Sequence, residues 1–341
     1  MKKIVVIGSF GFGEAKPSGQ RVKSQNIYRL LTEIDHSVSM VEMIGIALKP
    51  WKLFILFASV WKSDVVFCMP AQRNLVTVFP LICKIAKMRH VQVHYVVVGG
   101  WLADYIKGKN RIIKMLSSLA GIHCQTQELS DTLRNQFHFT NSDVFPNFRI
   151  TDYKSTPHHT PGFLKLVFMA RINKLKGLDT IFALGHKIQE RGIKNVSIDF
   201  YGPIYDEDKQ YFEENVQKFD FMKYVKSLAP SEIYSTLEKY DVMLLPTHYY
   251  TEGFPGSVLD AYISGIPVIV TKWQYATEFV EQGKSGIIVP FDDDGTEMFM
   301  QICRLVGDET LLSSLKQGAS MKWREYSPEV AKKKLEAYLN D

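Results

Sequence analysis

Thr251–Trp273 reads TEGFPGSVLDAYISGIPVIVTKW, and its punctuation specifies a loop, a short helix and a strand. Gly253, Pro255 and Gly256 make the loop, and Ser257 offers an N-cap side chain for a helix from Val258 to Ser264. Gly265 stands where a helix C-cap glycine belongs, and Pro267 opens the apolar run Pro-Val-Ile-Val. Two acids frame the helix start: Glu252 in the loop and Asp260, eight residues later, on the helix itself. Free backbone N–H groups between two acids suit a ligand with phosphates at one end and hydroxyls at the other. The stretch therefore predicts part of an α/β domain holding a sugar nucleotide.

Upstream, the strand Asp241–Leu245 delivers the chain to Pro246. Further back, the strand Phe163–Met169 runs into ARINKLKGLD at 170–179, where Arg171, Lys174 and Lys176 sit between a strand end and a helix, Leu178–Arg191. Three cations in that position make an anion site, because Arg offers a rigid donor fork and Lys a mobile point charge. Between these blocks come the strand Val196–Tyr201 with Gly202-Pro203 after it, a helix at 207–217 and a short strand near Val225. Pro230-Ser231 then caps a helix, Glu232–Glu238. Downstream lie the strand Gly286–Val289 and Asp292-Asp293-Asp294, which reads as N-cap and first-turn charge of the next helix rather than a metal site.

The first half alternates in the same way. Lys3–Ile7 is a strand entering Gly8-Ser-Phe-Gly11-Phe-Gly13. A dinucleotide fingerprint needs glycine at position 16, and Lys16 stands there, which demotes a dehydrogenase. Gly19 is the better candidate for close approach to a phosphate, with Arg21 and Lys23 in the first turn of a helix from about Val22 to Thr32; the alternative is that these glycines only permit the turn. A strand near Val38–Met43 follows. The window Lys49–Lys62 contains WKLFILFASVW, too short to span a bilayer, and reads as a core helix or else as an interfacial helix with lysines at both ends. Next come a strand Val65–Met69, a helix Leu75–Met88 and a strand Val91–Val98 ending at Gly99-Gly100-Trp101. Ligands bind outside the carboxyl ends of strands in such sheets, which puts Gly99, Gly100 and Trp101 on the ligand side. A helix at 110–119, a strand Gly121–Thr126, a helix at 128–136 and Pro146-Asn147 complete the half. Thr151–Gly162 is a linker whose His158 and His159 read as solvated loop residues.

With 341 residues, 46% hydrophobic and 23% charged, the chain has room for two ordinary domain cores. Met1-Lys-Lys leads straight into a strand, which does not resemble a signal peptide, so the expectation is a cytoplasmic protein whose four cysteines (Cys68, Cys83, Cys124, Cys303) are buried thiols. The net charge of +5 is uneven. Residues 1–150 carry 19 Lys+Arg against 9 Asp+Glu, and the remainder carries 22 against 27. A basic half points to an anionic partner such as a lipid headgroup or a pyrophosphate, or else is a solvated basic surface with no partner, while scattered charges with no binding motif argue against nucleic acid.

Two blocks of the second half resemble the retaining family-4 glycosyltransferases. FMARINKLKGLD is similar to the family's G-R-L-x-x-x-K-G pattern, with Arg171 and Lys176 at its positions and Ala170 in place of the usual glycine. TEGFPGSVLDAYISGIPVIVT is similar to the E-x7-E block, with Glu252 as the first acid and Asp260, one methylene shorter, as the second. YGPI, YDVMLLPT and EFVEQGKSGIIVP match the flanking segments. The resemblance implies an α/β GT-B fold, two Rossmann-like domains facing a central cleft. Residues 1–155, joined by a C-terminal helix at about 325–341, would hold the acceptor, and residues 156–324 the nucleotide-sugar donor. Arg171 and Lys176 would neutralise the donor diphosphate, Glu252 would hold sugar hydroxyls, and Asp260 the ribose. Gly202, Phe254, Gly256, Ser257 and Val258 would line the donor site, with no cofactor and no metal. Pro255 lacks an N–H that other members offer. Many members also place a histidine where this chain has Val98-Gly99-Gly100-Trp101, and His94 lies inside the strand instead.

The expected activity is metal-independent transfer of a hexose, with retention, from a nucleotide-diphosphate sugar, preferably a UDP-sugar. The acceptor would be a saccharide or lipid-linked saccharide in cell-surface polysaccharide synthesis, handled at the inner face of an anionic membrane. An epimerase or phosphorylase of the same fold, or a non-catalytic sugar-nucleotide-binding subunit, are the alternatives.

Overall fold

The computed structural model describes residues 2–11, 18–34, 37–46, 50–156 and 158–340; Gly13, Lys16, Pro17, Lys49 and Pro157, on which parts of the sequence reading fell, lie outside them. The chain forms two compact units, Met1–Ile150 with Tyr326–Asp341, and Thr151–Glu325.

The first unit is built on β1 (Lys3–Gly8), β2 (Ser37–Glu42), β3 (Val65–Cys68), β4 (Gln92–Val96), β5 (Gly121–Cys124) and β6 (Ser142–Val144), in the order β2-β1-β3-β4-β5-β6. Every pairing is parallel. Parallel sheets are covered by helices on both faces, so their strands are apolar throughout. In β1 only Lys3 is exposed, and β3 is buried along its whole length. Ile4, Val6, Leu31, Phe67 and Val96 pack with Ala331, Leu335 and Leu339 of the helix Pro328–Asn340, which returns the end of the chain to this core.

A polar ladder crosses that core. The Tyr338 hydroxyl donates to Asp143 Oδ2 at 2.5 Å, Asp143 Oδ1 meets His123 Nδ1 at 2.5 Å, and His123 Nε2 meets His94 Nδ1 at 3.0 Å. Burial lowers the pKa of His94 to about 3. His94 is thus a neutral interior residue stacked on Phe67. On the same side of the sheet Lys23 is buried rather than presented to a ligand: its ammonium donates to Phe145 O at 2.9 Å, and burial lowers its pKa to about 7.

The second unit contains β7 (Leu164–Met169), β8 (Val196–Tyr201), β9 (Met222–Lys226), β10 (Val242–Leu245), β11 (Val268–Thr271) and β12 (Gly286–Val289), in the order β12-β11-β10-β7-β8-β9. It is also wholly parallel. Its core joins Leu166, Phe168, Phe200 and Leu244 from the strands to Ile181, Leu184 and Ile302 from helices.

Several sequence expectations are corrected. The helix Leu75–Met88 is two helices, Gln72–Thr77 and Phe79–Arg89, because Pro80 has no N–H to continue the ladder and instead occupies the first turn of the second. The helix at 110–119 is shorter, Asn110–Leu116, and a further helix, Leu102–Ile106, precedes it, the two separated at Gly108, whose φ is +72°. His159 is an exposed loop residue, as expected, but it is not free: its Nδ1 meets Oδ1 of the buried Asp241 at 2.7 Å, an acid that also takes Lys316 at 2.7 Å and the Lys165 N–H at 2.8 Å. A buried carboxylate needs such partners. The apolar window 50–62 is a helix, but only Leu56 and Val60 of its large side chains are buried, so it is not a core helix. Two of the cysteines, Cys83 and Cys303, are only partly buried.

Candidate active site

In the second unit the strand order reverses between β7 and β10, since β8 and β9 lie to one side and β11 and β12 to the other. Loops leaving the carboxyl ends of two strands that diverge in this way open a crevice at the switch point. The loop after β7 carries Arg171 and Lys176, and the loop after β10 carries Glu252.

The local sequence explains how Lys176 is presented. Asn173 Oδ1 accepts the Lys176 N–H at 3.0 Å and caps the single 3-10 turn Lys174–Lys176. Gly177 then leaves the turn with φ +89°, and a Cβ there would lie 1.9 Å from Pro246 O. Glycine is required on both counts. The two loops are knitted at this point, because Leu175 O accepts from the His248 N–H at 2.9 Å and from Thr247 Oγ1 at 3.2 Å. In consequence Lys176, 76 residues away in sequence, forms an ion pair with Glu252 through Nζ and Oε2. Only 9% of the lysine side chain and 16% of the glutamate side chain are exposed.

Arg171 behaves differently. It is exposed, donates from Nη1 to the Tyr205 hydroxyl at 3.1 Å, and lies over that ring at 5.7 Å. Tyr205 was not singled out in the sequence, and no spacing pattern marks it, because it reaches Arg171 through the Ile172–Pro203 backbone pairing. Gly202 has φ +136°, and a Cβ there would meet Ala170 O at 1.9 Å, so its glycine is needed to let the loops after β7 and β8 touch.

The helix is Gly256–Ile263, with Pro255 as N-cap and no side-chain cap. This corrects the assignment of Ser257 as N-cap: proline holds extended backbone (φ −63°, ψ 127°), and the helix begins directly after it. Gly256, Ser257 and Val258 therefore form the first turn, where N–H groups have no intrahelical acceptor. The Val258 side chain is buried, which leaves only its backbone for a ligand. Phe254 is buried and stacked on Phe279 at 4.1 Å between centroids, which anchors the loop directly before the helix. Asp260 is buried on the same helix.

The remaining candidates lie in the first unit. Gly19 is the first residue of a helix, Gly19–Glu33, with Ser18 as N-cap, and among the described residues no atom beyond its chain neighbours and its own helix backbone lies within 4 Å of where its Cβ would be. The Phe10 and Gly11 N–H groups of the preceding glycine loop are taken by Glu42 Oε2 at 2.9 and 2.8 Å. An internal carboxylate thus occupies amides that a phosphate loop would offer. Gly99 has φ +89° and donates its N–H to Gln125 Oε1 at 3.2 Å. Trp101 Nε1 donates to Val98 O at 2.8 Å, and Gly100 is buried between them.

Residues 164–308 match the family described as glycosyl transferases, group 1. WcaL of Salmonella typhimurium, provisionally described as a colanic acid biosynthesis glycosyltransferase, is 30% identical over 139 residues, 39% of this chain and 34% of that protein. WcaL of Escherichia coli is 28% identical over 150 residues, 42% of this chain and 37% of that protein. The chain thus spans about a third of the length of the curated relatives it matches. HepE of Anabaena, solved in complex with UDP and glucose, superposes over 100% of both chains with a TM-score of 0.76 and 14% identity. Sucrose-phosphate synthase of Thermosynechococcus elongatus superposes over 100% of this chain and 98% of that chain, with a TM-score of 0.79 and 14% identity. The chain has the GT-B fold, and residues 164–308 of its second unit are similar to the group 1 glycosyltransferases.

Proposed function

We propose that the protein is a retaining glycosyltransferase that moves a hexose from a nucleotide-diphosphate sugar, preferably a UDP-sugar, to a saccharide or lipid-linked saccharide. The product would enter a cell-surface polysaccharide. The observation that carries this reading is the Lys176–Glu252 pair set at the switch point of the second sheet, next to a helix start with no side-chain cap. A diphosphate with its sugar needs those features: a cation, backbone N–H donors and a hydroxyl acceptor within one loop cluster.

In the proposed reaction the bond from the anomeric carbon to the diphosphate oxygen breaks, and the acceptor oxygen bonds to that carbon from the same face. The acceptor proton passes to the departing diphosphate, which leaves as UDP. Negative charge grows on the diphosphate as the bond lengthens, and Lys176, Arg171 and the first-turn amides of Gly256–Val258 stabilise it. Glu252 holds sugar hydroxyls while keeping Lys176 oriented, and Asp260 takes the ribose. These side chains supply the positive charge, so the reaction proceeds without a divalent ion. Gly99, Gly100 and Trp101 are assigned to the acceptor side, and Gly19 to the donor phosphates. Nucleotide sugars are made in the cytoplasm, so a lipid-linked acceptor would be met at the inner face of a membrane. HepE binding UDP and glucose, and the description of WcaL in colanic acid biosynthesis, support this choice of donor and product.

Titration calorimetry with a panel of nucleotide sugars, paired with release of UDP from the donor that binds, tests the reading. Binding of one UDP-sugar with slow release of UDP is expected. Free epimer as the product, or no nucleotide sugar bound at all, would overturn it.

A further inference from the structure

The helix Pro50–Lys62 carries eight large apolar side chains, of which only Leu56 and Val60 are buried. Trp51, Leu53, Phe54, Ile55, Phe57 and Trp61 are exposed, Phe54 at 74% and Trp51 at 60%. Leu56 and Val60 are four apart and form one narrow stripe against the sheet, while the exposed residues cover the rest of the circumference. Phe57 and Trp61 stack on each other at 5.3 Å, and Arg89 from the helix Phe79–Arg89 lies over Trp61 at 5.0 Å. That second helix adds exposed Leu81 and Met88, the latter at 61%. An apolar surface of this extent marks an interaction site.

Its electrostatic setting identifies the partner. Between Glu42 and Asp104 the sequence holds seven Lys or Arg and one acid, Asp64. Neither helix contains an acid, and Lys62, Lys84, Lys87 and Arg89 are all exposed. Beside the patch is a cavity of about 330 Å³ against the edge strand β2, lined by Phe54, Ile55, Ser37, Ser39, Lys3 and Lys62 among others. Two ammonium groups and serine hydroxyls next to an apolar wall suit a phosphate ester with acyl chains attached. A second copy of the chain is a poor occupant, because a two-fold contact would set one basic rim against another.

We propose that this surface seats the first unit on an anionic lipid bilayer. The helix Pro50–Lys62 lies in the plane of the interface, with its aromatic side chains among the acyl chain ends nearest the headgroups and the basic residues on lipid phosphates. Tryptophan favours that depth, and thirteen residues are too few to cross. Among the described residues no helix is long and apolar enough to span a membrane, so this contact is peripheral. None of the residues of this surface is among those assigned to the donor, and its test needs no turnover.

The test is flotation of the full chain with phosphatidylcholine vesicles, with and without one-third phosphatidylglycerol, at low and high salt. Binding is expected on the anionic vesicles only and weakens as salt rises. Phe54→Glu lowers it by about tenfold or more, because one carboxylate enters an apolar, anionic interface. Met321→Glu, at another well-exposed apolar position but in the other unit, leaves it unchanged. Thermal unfolding of each variant confirms that the fold is kept, which is expected at exposed positions. Equal binding to neutral vesicles, no binding, or binding indifferent to Phe54→Glu would overturn the proposal. So would a dimer in free solution that Phe54→Glu dissociates, since the patch would then belong to a second copy.

Discussion

Replacing Lys176 by Met separates the structural from the chemical work of the Lys176–Glu252 pair. Both side chains are mostly shielded from water, so removing the lysine leaves Glu252 without the ammonium it pairs with. Breaking a fully buried pair costs about 3–5 kcal/mol, and the partial access of the glutamate brings this to the lower end, about 3 kcal/mol. For a unit of this size that corresponds to a fall in unfolding midpoint of about 6–12 °C. Adding Glu252→Gln removes the orphaned charge, and the double variant is expected to recover about half or more of that loss. Activity follows a different rule. A preorganised cation facing the departing diphosphate contributes about 10²–10³ in rate, so UDP release falls by that factor in Lys176→Met and stays low in the double variant. Measurement is by thermal unfolding alongside UDP release from the donor that binds. Recovery of stability without recovery of turnover is the expected pattern. If Lys176→Met kept both wild-type turnover and wild-type stability, the reasoning from the pair to the chemistry would fail.

Three further outcomes follow from the same geometry. Gly177→Ala should destabilise the second unit by about 3 kcal/mol or more, since left-handed backbone and a 1.9 Å approach to Pro246 O combine; denaturant unfolding measures it, and a change under about 1 kcal/mol would contradict the contact. Lys23 has a folded pKa of about 7 against 10.5 unfolded, so above pH 7 the unfolded chain binds more protons and Lys23 makes stability rise with pH up to about 10.5. The Lys23→Met variant should lack that rise, and parallel slopes of the two proteins in pH-dependent unfolding would refute the assignment. Activity should survive EDTA, and loss on chelation with restoration by magnesium would show that the side-chain cations do not suffice.

The alternation of apolar β-branched runs with helical segments was enough to specify two α/β halves, because each periodicity reports a local burial pattern. The loop, helix and strand of Thr251–Trp273 were legible for the same reason, as glycine and proline act on their own backbone. Helix starts were less so: Ser257 has the right side chain for an N-cap, yet the rigid φ of Pro255 sets the start two residues earlier. His159 looked like loop, and only the fold brings the buried Asp241 to it across 82 residues. Hydropathy left the window Lys49–Lys62 open between a core helix and an interfacial one, and the sheet offers room for Leu56 and Val60 alone.

Local patterns in the chain were sufficient for the fold class, for the strand-to-loop positions of Lys176 and Glu252, and for the glycines on which those loops depend. It took the packed sheets to bring Lys176 to Glu252 while Arg171 turns to Tyr205, and to join His94 through a buried ladder to the last helix. The reason is physical. Periodicity and turn chemistry act over a few residues, but which loops adjoin depends on the order of strands in the sheet. That order places β7 beside β10, with everything folded between them carried to the other side.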